Sequence, residues 1–206
     1  MDEHNIINDA DNGVCAWAMK QPIERIYHDQ EWGRISLDNE YLFEFLTLEG
    51  AQAGLSWYTV LKRRDAYRAA FEGYCLDTLA QYEAEKVEEI IEKYDVIKHR
   101  GKIQSVFNNA RAAKALIAEY GSLSAALWQF VDHQPVINHW QKQEDIPTST
   151  PASKAMSRFL KKKGFSFVGE TICYAFMQAV GMVNDHLVTC PCHQAVQQNM
   201  AEKYEQ

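Results

Sequence analysis

Apolar residues recur along this chain mainly at intervals of three and four, which is the spacing of one face of an α-helix. The clearest stripe ends at Gly121, and glycine commonly follows the last turn of a helix. Its members are Ile103, Val106, Phe107, Ala110, Ala113, Leu116 and Ile117. No segment shows the apolar and polar alternation that marks a half-buried strand. The pattern therefore predicts an all-α fold.

Residues with short polar side chains mark the starts of two further helices. Asp38 is suited to cap a helix that runs to Leu48, and Ser56 to cap the next segment, whose apolar positions continue to Phe71. Prolines and several Ser and Thr residues predict a surface loop from Gln141 to Pro151. The remaining predicted helices are Leu76–Tyr82, Lys86–Tyr94, Ser153–Lys163 and Glu170–Val180.

Length and composition favour one globular domain. The 206 residues are 47% hydrophobic and 24% charged, which suits a single core. No apolar run reaches the ~18 residues of a membrane span, and Met1–Gly13 is polar and acidic rather than a leader. We expect a cytoplasmic protein without a membrane partner, working as a monomer. The extensions Met1–Val14 and Pro191–Gln206 are expected to be frayed.

The net charge of −7 argues against nucleic acid, because phosphate binding normally leaves a basic footprint. The charge is nevertheless polarised. One stretch, from Lys98 to Lys114, and a second, from Lys154 to Lys163, carry five basic residues each and no acidic ones, whereas acidic residues concentrate at 83–95 and at the termini. Two solvated helix faces would give the same pattern, so charge alone leaves a DNA partner open.

The turn between the last two predicted helices is bounded by Gly164 and Gly169. Such a turn can direct backbone N–H groups outward, and its second glycine opens a helix whose positive dipole end attracts an anion. An ordinary αα-hairpin with a glycine C-cap is the commoner structure for this pattern. The three consecutive lysines Lys161, Lys162 and Lys163 favour a phosphate clamp.

Five cysteines, an odd number, favour metal ligands or free thiols over a disulfide framework. His186 and Cys190 are four residues apart and would share a helix face, while Cys15 and His28 lie near the other end of the chain. Together they would form a closed Cys₂His₂ zinc site, structural because no position is left for water. From spacing alone Cys192 and His193 are equally good ligands.

Several motifs in register resemble the DNA-3-methyladenine glycosylase I (Tag) family of the helix-hairpin-helix glycosylase superfamily. They are Cys15-Ala16-Trp17, YHDQEWG at 27–33, LEGAQAGLSW at 48–57, RGKI at 100–103, IPTST at 146–150, FSFVG at 165–169 and NDH at 184–186. The resemblance covers Cys15 to Cys190. It implies an all-α helix-hairpin-helix glycosylase fold and removal of 3-methyladenine from alkylated double-stranded DNA. It also implies one structural zinc ion on Cys15, His28, His186 and Cys190, which would join the N- and C-terminal segments.

The resemblance further implies a base pocket formed by Glu49, Tyr27 and Trp57, with Glu49 as the catalytic-site carboxylate. Alkylation makes the flipped purine cationic, so a buried carboxylate can accept from its exocyclic amine and balance its charge. Aromatic faces bind a cation more strongly than a neutral ring, by about 0.5–2 kcal/mol. Without the motif, Trp57 would be assigned to the core and Glu49 to a helix end.

Three features qualify this implied function. Asn184 stands where many helix-hairpin-helix glycosylases have a catalytic aspartate, and the neighbouring Asp185 is not assigned that role. No lysine occupies the position of a Schiff-base nucleophile in this region, so we expect a monofunctional hydrolase. Glu24 replaces an aromatic residue found in a relative, so one wall of the pocket can differ.

For DNA we expect contacts from Lys161, Lys162, Lys163, Gly164 and Gly169. Arg100 and Lys102 are expected to add further contacts. Two other function classes remain open on the residues alone. A zinc-stapled, non-catalytic nucleic-acid-binding module would need no acid in a pocket, and a zinc hydrolase would need an open metal position.

Overall fold

The computed structural model describes residues 13–204, which contain eleven α-helices and two very short strands. The helices are α1 (Pro22–Gln30), α2 (Asn39–Gln52), α3 (Trp57–Leu61), α4 (Arg64–Ala70), α5 (Leu76–Leu79), α6 (Glu85–Lys93), α7 (Arg100–Tyr120), α8 (Leu123–Trp128), α9 (Pro151–Lys162), α10 (Glu170–Ala179) and α11 (Pro191–Tyr204). Single 3₁₀ turns lie at Ala16–Met19, Glu72–Tyr74, Gln129–Val131 and Gln143–Asp145. The predicted mostly helical architecture is confirmed.

Helix α2 is the centre of the fold. Every residue from Leu42 to Ala51 is buried, and the helix contacts α3, α7, α8 and α10. A helix that is buried on all sides has neighbours on each of its faces, which explains why its sequence is apolar over most of its length. Within the buried stretch from Leu42 to Ala51, the two charged residues are Glu44 and Glu49.

The predicted caps of two helices are confirmed. The Asp38 carboxylate accepts a hydrogen bond from the Tyr41 amide at 2.8 Å, and Ser56 Oγ accepts one from the Thr59 amide at 3.2 Å. Each satisfies one of the amides that a first helical turn leaves without a partner. Helix α7 ends as predicted at Gly121, whose φ of +88° favours glycine.

The segment after Ser56 forms two helices instead of one continuous helix. Arg63 leaves helical geometry with φ −105° and ψ 5°, and α4 starts at the next residue. The new direction brings Arg64 within 2.7 Å of Glu44 and Arg68 within 2.9 Å of the same buried carboxylate. This long-range ion pairing is invisible to helical periodicity.

Two strands, β1 (Val136–Ile137) and β2 (Val183–Asn184), pair in parallel, with Val136 opposite Val183. Two residues are too few to show an alternating pattern, so these strands leave no signal in the sequence. Their pairing fixes the loop that follows α8 beside the segment that leads to His186. No described helix is long and apolar enough to cross a membrane.

The expectation of a frayed C-terminal extension is wrong as far as residue 204. Residues Pro191–Tyr204 form α11, and Val196 and Met200 are each only 1% exposed. At the other end, Val14 is buried and Thr189 Oγ1 donates to the Gly13 carbonyl at 3.1 Å. The rest of the expected frayed N-terminus, residues 1–12, lies outside the described residues, as do 205 and 206.

The docking of α11 can be tested with Met200→Ala. Removing a buried methionine side chain should lower the free energy of unfolding by about 2–5 kcal/mol, measured by urea denaturation. Gln198→Ala, on the exposed side of the same helix, is the control and should change stability little. Equal urea midpoints for both variants would show that the tail does not pack in solution.

Candidate functional site

A cavity of about 540 Å³ opens between α1, α2, α3 and α10. Its floor is α2, so any ligand in it would lie against the centre of the fold. The lining residues are Trp17, Lys20, Gln21, Glu24, Tyr27, Trp32, Glu49, Gln52, Ser56, Trp57, Tyr58, Gln143, Ala175 and Gln178. The cavity thus brings together Glu49, Tyr27 and Trp57, the three residues expected to hold a base.

Glu49 is a buried carboxyl group in a cavity wall that also contains several aromatic side chains. It is 5% exposed, and burial raises its pKa to about 8. Desolvation disfavours the charged form, and no positive side chain offsets it here. The Glu49 carboxyl therefore keeps its proton near neutral pH until a cation enters the cavity and favours the carboxylate.

Two aromatic side chains flank this carboxyl group. The Tyr27 and Trp57 ring centroids are 5.3 Å apart, and Tyr27 also stacks on Phe45 at 6.0 Å. Burial, and then the proximity of Glu49, raise the pKa of Tyr27 well above its usual range, so its phenol stays neutral. Within the described residues, neither Tyr27 Oη nor Trp57 Nε1 has a hydrogen-bond partner although both are buried. Unpaired buried donors of this kind are available to a ligand.

The same cavity contains a second acidic residue. Glu24, one turn before Tyr27 on α1, is 6% exposed, and its Oε2 has no partner within the described residues. Burial raises the pKa of this carboxyl, while Lys20 and the Tyr58 backbone amide act in the opposite direction. Only the departure from the family pattern at this position hinted at it.

Asp185 and Asn184 do not line the cavity. The Asp185 carboxylate accepts four hydrogen bonds of 2.6–2.8 Å, donated by the side chains of Asn138, Trp140, Tyr174 and Gln178. Asn184 donates to the His193 carbonyl and accepts from the His186 amide. Both side chains hold neighbouring segments together.

The four residues expected to bind zinc converge on one buried point. The donor atoms of Cys15, His28, His186 and Cys190 all lie within 4.8 Å of one another. His28 Nε2 lies 3.0 Å from His186 Nδ1 and 3.6 Å from Cys190 Sγ, and Cys15 Sγ lies 3.9 Å from His186 Nδ1. Ligands of a tetrahedral zinc site are about 3.3–3.8 Å apart when its bonds have their usual lengths. The observed spacings of 3.0–3.9 Å bracket this range, so the four donors are arranged as a tetrahedral metal ion such as zinc requires.

The far sides of the two imidazoles strengthen this fit. His28 Nδ1 lies 2.7 Å from the Asp29 carboxylate, and His186 Nε2 lies 3.1 Å from the Trp32 carbonyl oxygen. Both partners only accept, so each far nitrogen must carry the proton. In the neutral rings the two facing nitrogens then present lone pairs to each other at 3.0 Å. A cation between them removes that repulsion, as in metal sites whose histidines are oriented by a carboxylate or carbonyl.

The two alternative ligands lie outside this group. Cys192 Sγ is nearest the outer face of His28, 3.9 Å from Nδ1 and 3.6 Å from an Asp29 carboxylate oxygen. His193 donates through Nε2 to the Asn138 carbonyl oxygen at 2.8 Å. Hydrogen bonds from Cys15 and then Cys192 lower the pKa of the Cys190 thiol, which favours a thiolate ligand.

The predicted hairpin between α9 and α10 is present. Gly164 follows α9 with φ +93°, and Gly169 is the N-cap of α10 with open space where a Cβ would project. The Asn109 side chain clamps the loop by accepting from the Ser166 amide and donating to the Ser166 carbonyl. Within the described residues no hydrogen bond uses the amides of 167–169. The loop is held in place with free N–H groups at the mouth of α10.

The basic residues expected near DNA differ in their surroundings. Lys161 and Lys162 are exposed, whereas Lys163 lies 2.5 Å from Glu119. Arg100 is exposed and forms an ion pair with Glu88. Lys102 donates to the carbonyl oxygens of residues 51 and 53, at 2.9 and 2.8 Å, at the C-terminal end of α2. Among these residues, Lys161 and Lys162 are the best placed for phosphate.

The loop held by Lys102 carries an apolar side chain that the sequence analysis passed over. Leu55 is 40% exposed and lies between the cavity residues Gln52 and Ser56. Gly54, with φ +81°, makes the turn that precedes it. An exposed leucine attracts no attention in a sequence, and only its position in the short segment between the cavity residues Gln52 and Ser56 distinguishes it.

Comparison with known proteins agrees with this geometry. A family model described as methyladenine glycosylase matches residues 17–193. The chain is 48% identical over 179 residues to DNA-3-methyladenine glycosylase 1 of Escherichia coli (strain K12), covering 87% of this chain and 96% of that protein.

Two solved structures have a closely similar fold. A crystal structure of 3-methyladenine DNA glycosylase I (TAG) matches with a TM-score of 0.84 and 49% identity over 87% of this chain and 99% of that one. The Staphylococcus aureus enzyme, solved to explain its recognition of 3-methyladenine, matches with a TM-score of 0.84 and 33% identity over 87% of this chain and 95% of that one.

The raised pKa of Glu49 predicts a pH-dependent stability difference between wild type and Glu49→Gln. A carboxyl whose pKa rises on folding contributes stability below its unfolded pKa of 4.5 and loses it as pH rises towards about 8. The free energy of unfolding of Glu49→Gln should therefore rise relative to that of wild type by up to about 1.4 kcal/mol for each pH unit across this window. Urea denaturation at several pH values measures the difference. Glu40→Gln, at an exposed carboxyl, is the control; parallel curves for wild type and Glu49→Gln would contradict the assigned pKa.

Proposed function

This chain belongs to the methyladenine glycosylase family, and we propose that its cavity receives the alkylated base that the enzyme excises. The protein is a 3-methyladenine DNA glycosylase: it acts on alkylated bases in base-excision repair. The observation that carries the site assignment is the buried, raised-pKa carboxyl of Glu49 between Tyr27 and Trp57. The ionised form of such a buried carboxyl group is stabilised most by a cationic ligand.

Binding in the cavity discriminates by charge. A flipped 3-methyladenine carries a positive charge while it is attached to deoxyribose, and normal adenine carries none. The cation favours the Glu49 carboxylate, which accepts from the exocyclic amine, and the faces of Tyr27 and Trp57 attract the charged ring. Normal adenine would leave Glu49 protonated and would gain neither attraction.

The chemical step then needs little acid catalysis. The C1′–N9 bond breaks, its electron pair neutralises the cationic purine, and water adds to C1′ while its proton passes to solvent. Because the base leaves neutral, protonation of the leaving group is not required. The residues of the cavity bind and orient the base, and the products are free 3-methyladenine and an abasic site. We infer a monofunctional reaction without strand cleavage.

The hairpin supplies a surface for the DNA backbone. Within the described residues the amides of 167–169 donate no hydrogen bond, there is open space beside Gly169, and Lys161 and Lys162 are exposed near the end of the preceding helix α9. Amides at a helix N-terminus together with lysines suit phosphate. Leu55 is positioned to fill the gap in the duplex after the base has flipped out. Arg100, Lys163 and Gly164 border the same interface in this proposal, while Lys102 supports the Leu55 loop.

A structural zinc ion on Cys15, His28, His186 and Cys190 completes the proposal. When bound, zinc supplies a cross-link between the chain ends and no catalytic water, since all four positions are filled. The chain's own residues hold it: the carboxylate of Asp29 and the carbonyl of Trp32 orient the two imidazoles. A single domain, acting as a cytoplasmic monomer on double-stranded DNA, fits this arrangement.

A zinc-stapled binding module is the competing function. It would explain the metal donors and the hairpin, but it has no use for a buried acid in an aromatic cavity. A zinc hydrolase would require a vacant coordination position next to the cavity. The four converging donors leave none.

Glu49→Gln tests the site directly. Loss of the carboxylate should lower kcat/KM for release of 3-methyladenine from methylated duplex DNA at least ~100-fold, equivalent to about 2.7 kcal/mol of transition-state stabilisation. Released base is quantified by mass spectrometry, with Glu40→Gln as the matched control. Wild-type protein that binds DNA and releases no base would favour the binding module.

Cys190→Ser and Cys192→Ser distinguish a metal ligand from a neighbour. Cys190→Ser should lose its zinc and about 3 kcal/mol or more of stability, a Tm decrease of roughly 6–12 °C for a chain of this size. Cys192→Ser should retain one zinc per chain. Elemental analysis and thermal denaturation supply both readouts, and zinc loss from Cys192→Ser alone would assign the ligand differently.

The double variant Lys161→Ala/Lys162→Ala tests the DNA interface. If each lysine contacts one phosphate, the slope of log K against log salt concentration should become shallower by about 1.8. Lys86→Ala/Lys93→Ala, which removes two lysines from α6, is the charge-matched control. Equal slopes for the two double variants would remove the hairpin lysines from the interface.

A further inference from the structure

The chemical step at the sugar needs a polar group in addition to the residues that hold the base. Breaking the C1′–N9 bond moves positive charge from the purine to the sugar, and a water molecule bonds to C1′. In the proposed function Glu49, Tyr27 and Trp57 are all occupied with the base. Water that is held in place reacts faster than water that must be found in solution, so a further acceptor in the cavity wall would assist this step.

Helix α10 contributes one wall of the cavity. Its lining residues are Ala175 and Gln178, which are three positions apart and therefore lie on one face of the helix. Both are half-buried, whereas the neighbouring Phe176, Met177 and Ala179 are buried. Gln178 is thus the polar side chain that α10 presents to a ligand in the cavity.

The amide of Gln178 has a fixed orientation. Its Nε2 donates to Asp185 Oδ2 at 2.8 Å. A carboxylate only accepts hydrogen bonds, so the nitrogen end of the amide must be the end that faces Asp185. The opposite end is Oε1, which has no hydrogen-bond partner within the described residues and is not buried. The amide therefore presents an acceptor to the cavity.

The buried carboxylate of Asp185 maintains that orientation. It is 1% exposed, and its other donors are the side chains of Asn138, Trp140 and Tyr174. All four donors are uncharged, so they satisfy its lone pairs without cancelling its negative charge. This charge polarises the Gln178 amide and favours a positive charge on the cavity side of it.

Helix α10 also relates Gln178 to the DNA backbone. The hairpin proposed to bind phosphate ends at Gly169, the N-cap of this helix, and Gln178 lies near the other end of it. At a rise of 1.5 Å per residue the two positions are about 14 Å apart along the helix axis. The sugar joins the flipped base to the backbone, so it lies between them, on the side of the cavity that α10 lines.

We propose that Gln178 is a catalytic residue whose Oε1 accepts a hydrogen bond from the water molecule that adds to C1′, and that Asp185 is the positioning residue that fixes its amide. This inference rests on the proposed function, since it assumes that the cavity receives the flipped base. The electron pair of the C1′–N9 bond goes to the purine, and the water oxygen forms the new bond to C1′. The amide takes no proton, and the proton that the water loses passes to solvent.

Gln178→Met tests the acceptor, because methionine has a similar length and no amide. Base release is measured under single turnover, with enzyme in excess over the 3-methyladenine in methylated duplex DNA. The rate constant should fall by about 10- to 100-fold. Gln129→Met makes the same substitution at a half-buried glutamine outside the cavity and should retain the wild-type rate. A rate constant for Gln178→Met within about threefold of wild type would overturn the inference.

Binding measurements separate a role at the sugar from a role in holding the base. Quenching of tryptophan fluorescence measures affinity for free 3-methyladenine, and fluorescence anisotropy measures affinity for a duplex that contains a tetrahydrofuran abasic-site analogue. Both dissociation constants should stay within about twofold of wild type in Gln178→Met. Weakening of either by the same factor as the release rate would show that Gln178 acts in binding, and would overturn its assignment to the water.

Tyr174→Phe distinguishes the acceptor from the packing around Asp185. It removes the 2.6 Å hydrogen bond to the same carboxylate, and Tyr174 is not among the residues that line the base cavity. Both variants lose one donor to Asp185, but Tyr174→Phe should lose less of the release rate than Gln178→Met. Zinc content and Tm verify that each variant is folded. Equal losses in the two variants would assign the effect to the surroundings of Asp185 and overturn the role of Oε1.

The two proposals fail in different ways. Wild-type protein that releases 3-methyladenine, together with an equally active Gln178→Met, overturns the assignment of Gln178 and leaves the glycosylase function intact. Wild-type protein that releases no base overturns the proposed function and this inference with it.

Discussion

The burial of an uncompensated carboxyl group on helix α2 is the constraint on which the site depends. Glu49 lies on a helix that is buried on all sides, so its desolvation cannot be relieved by a shift towards solvent. Burial raises its pKa to about 8 and makes the cavity respond to positive charge. In the proposed function, selection of an alkylated base and retention of a rigid core are two consequences of the same helix position.

The metal centre supports this cavity from one side. His28 directly follows Tyr27 on α1, and Trp32 provides both a cavity wall and the carbonyl that orients His186. A cross-link at His28 thus fixes the helix that also carries Glu24. A metal ion bound by the four donor residues would need no contact with the base, because it would hold α1 and its share of the cavity wall in place. A structural metal and a base pocket are joined here through a few residues of α1.

The acidic net charge is compatible with DNA because charge and ion pairing are distributed unevenly. Arg64 and Arg68 form ion pairs with the buried carboxylate of Glu44, and Lys163 forms one with Glu119 on the surface. Lys161 and Lys162 remain exposed beside the free amides of the hairpin. Local arrangement therefore decides where phosphate can bind, and the sum of charges along the chain does not.

The sequence by itself determined the helical class, the caps at Asp38 and Ser56, the glycine-bounded hairpin and, through motifs, the residues of the pocket and metal centre. These depend on local spacing or on residue identity. Tertiary structure alone decided the break before Arg64, the docking of α11, the saturation of Asp185 and the unpaired oxygen of Glu24. Each of these depends on which distant group meets a side chain, and periodicity contains no information about such partners. For the same reason, spacing alone left six cysteine and histidine candidates open, and only the meeting of the two chain ends brings the donor atoms of Cys15, His28, His186 and Cys190 within 4.8 Å of one another.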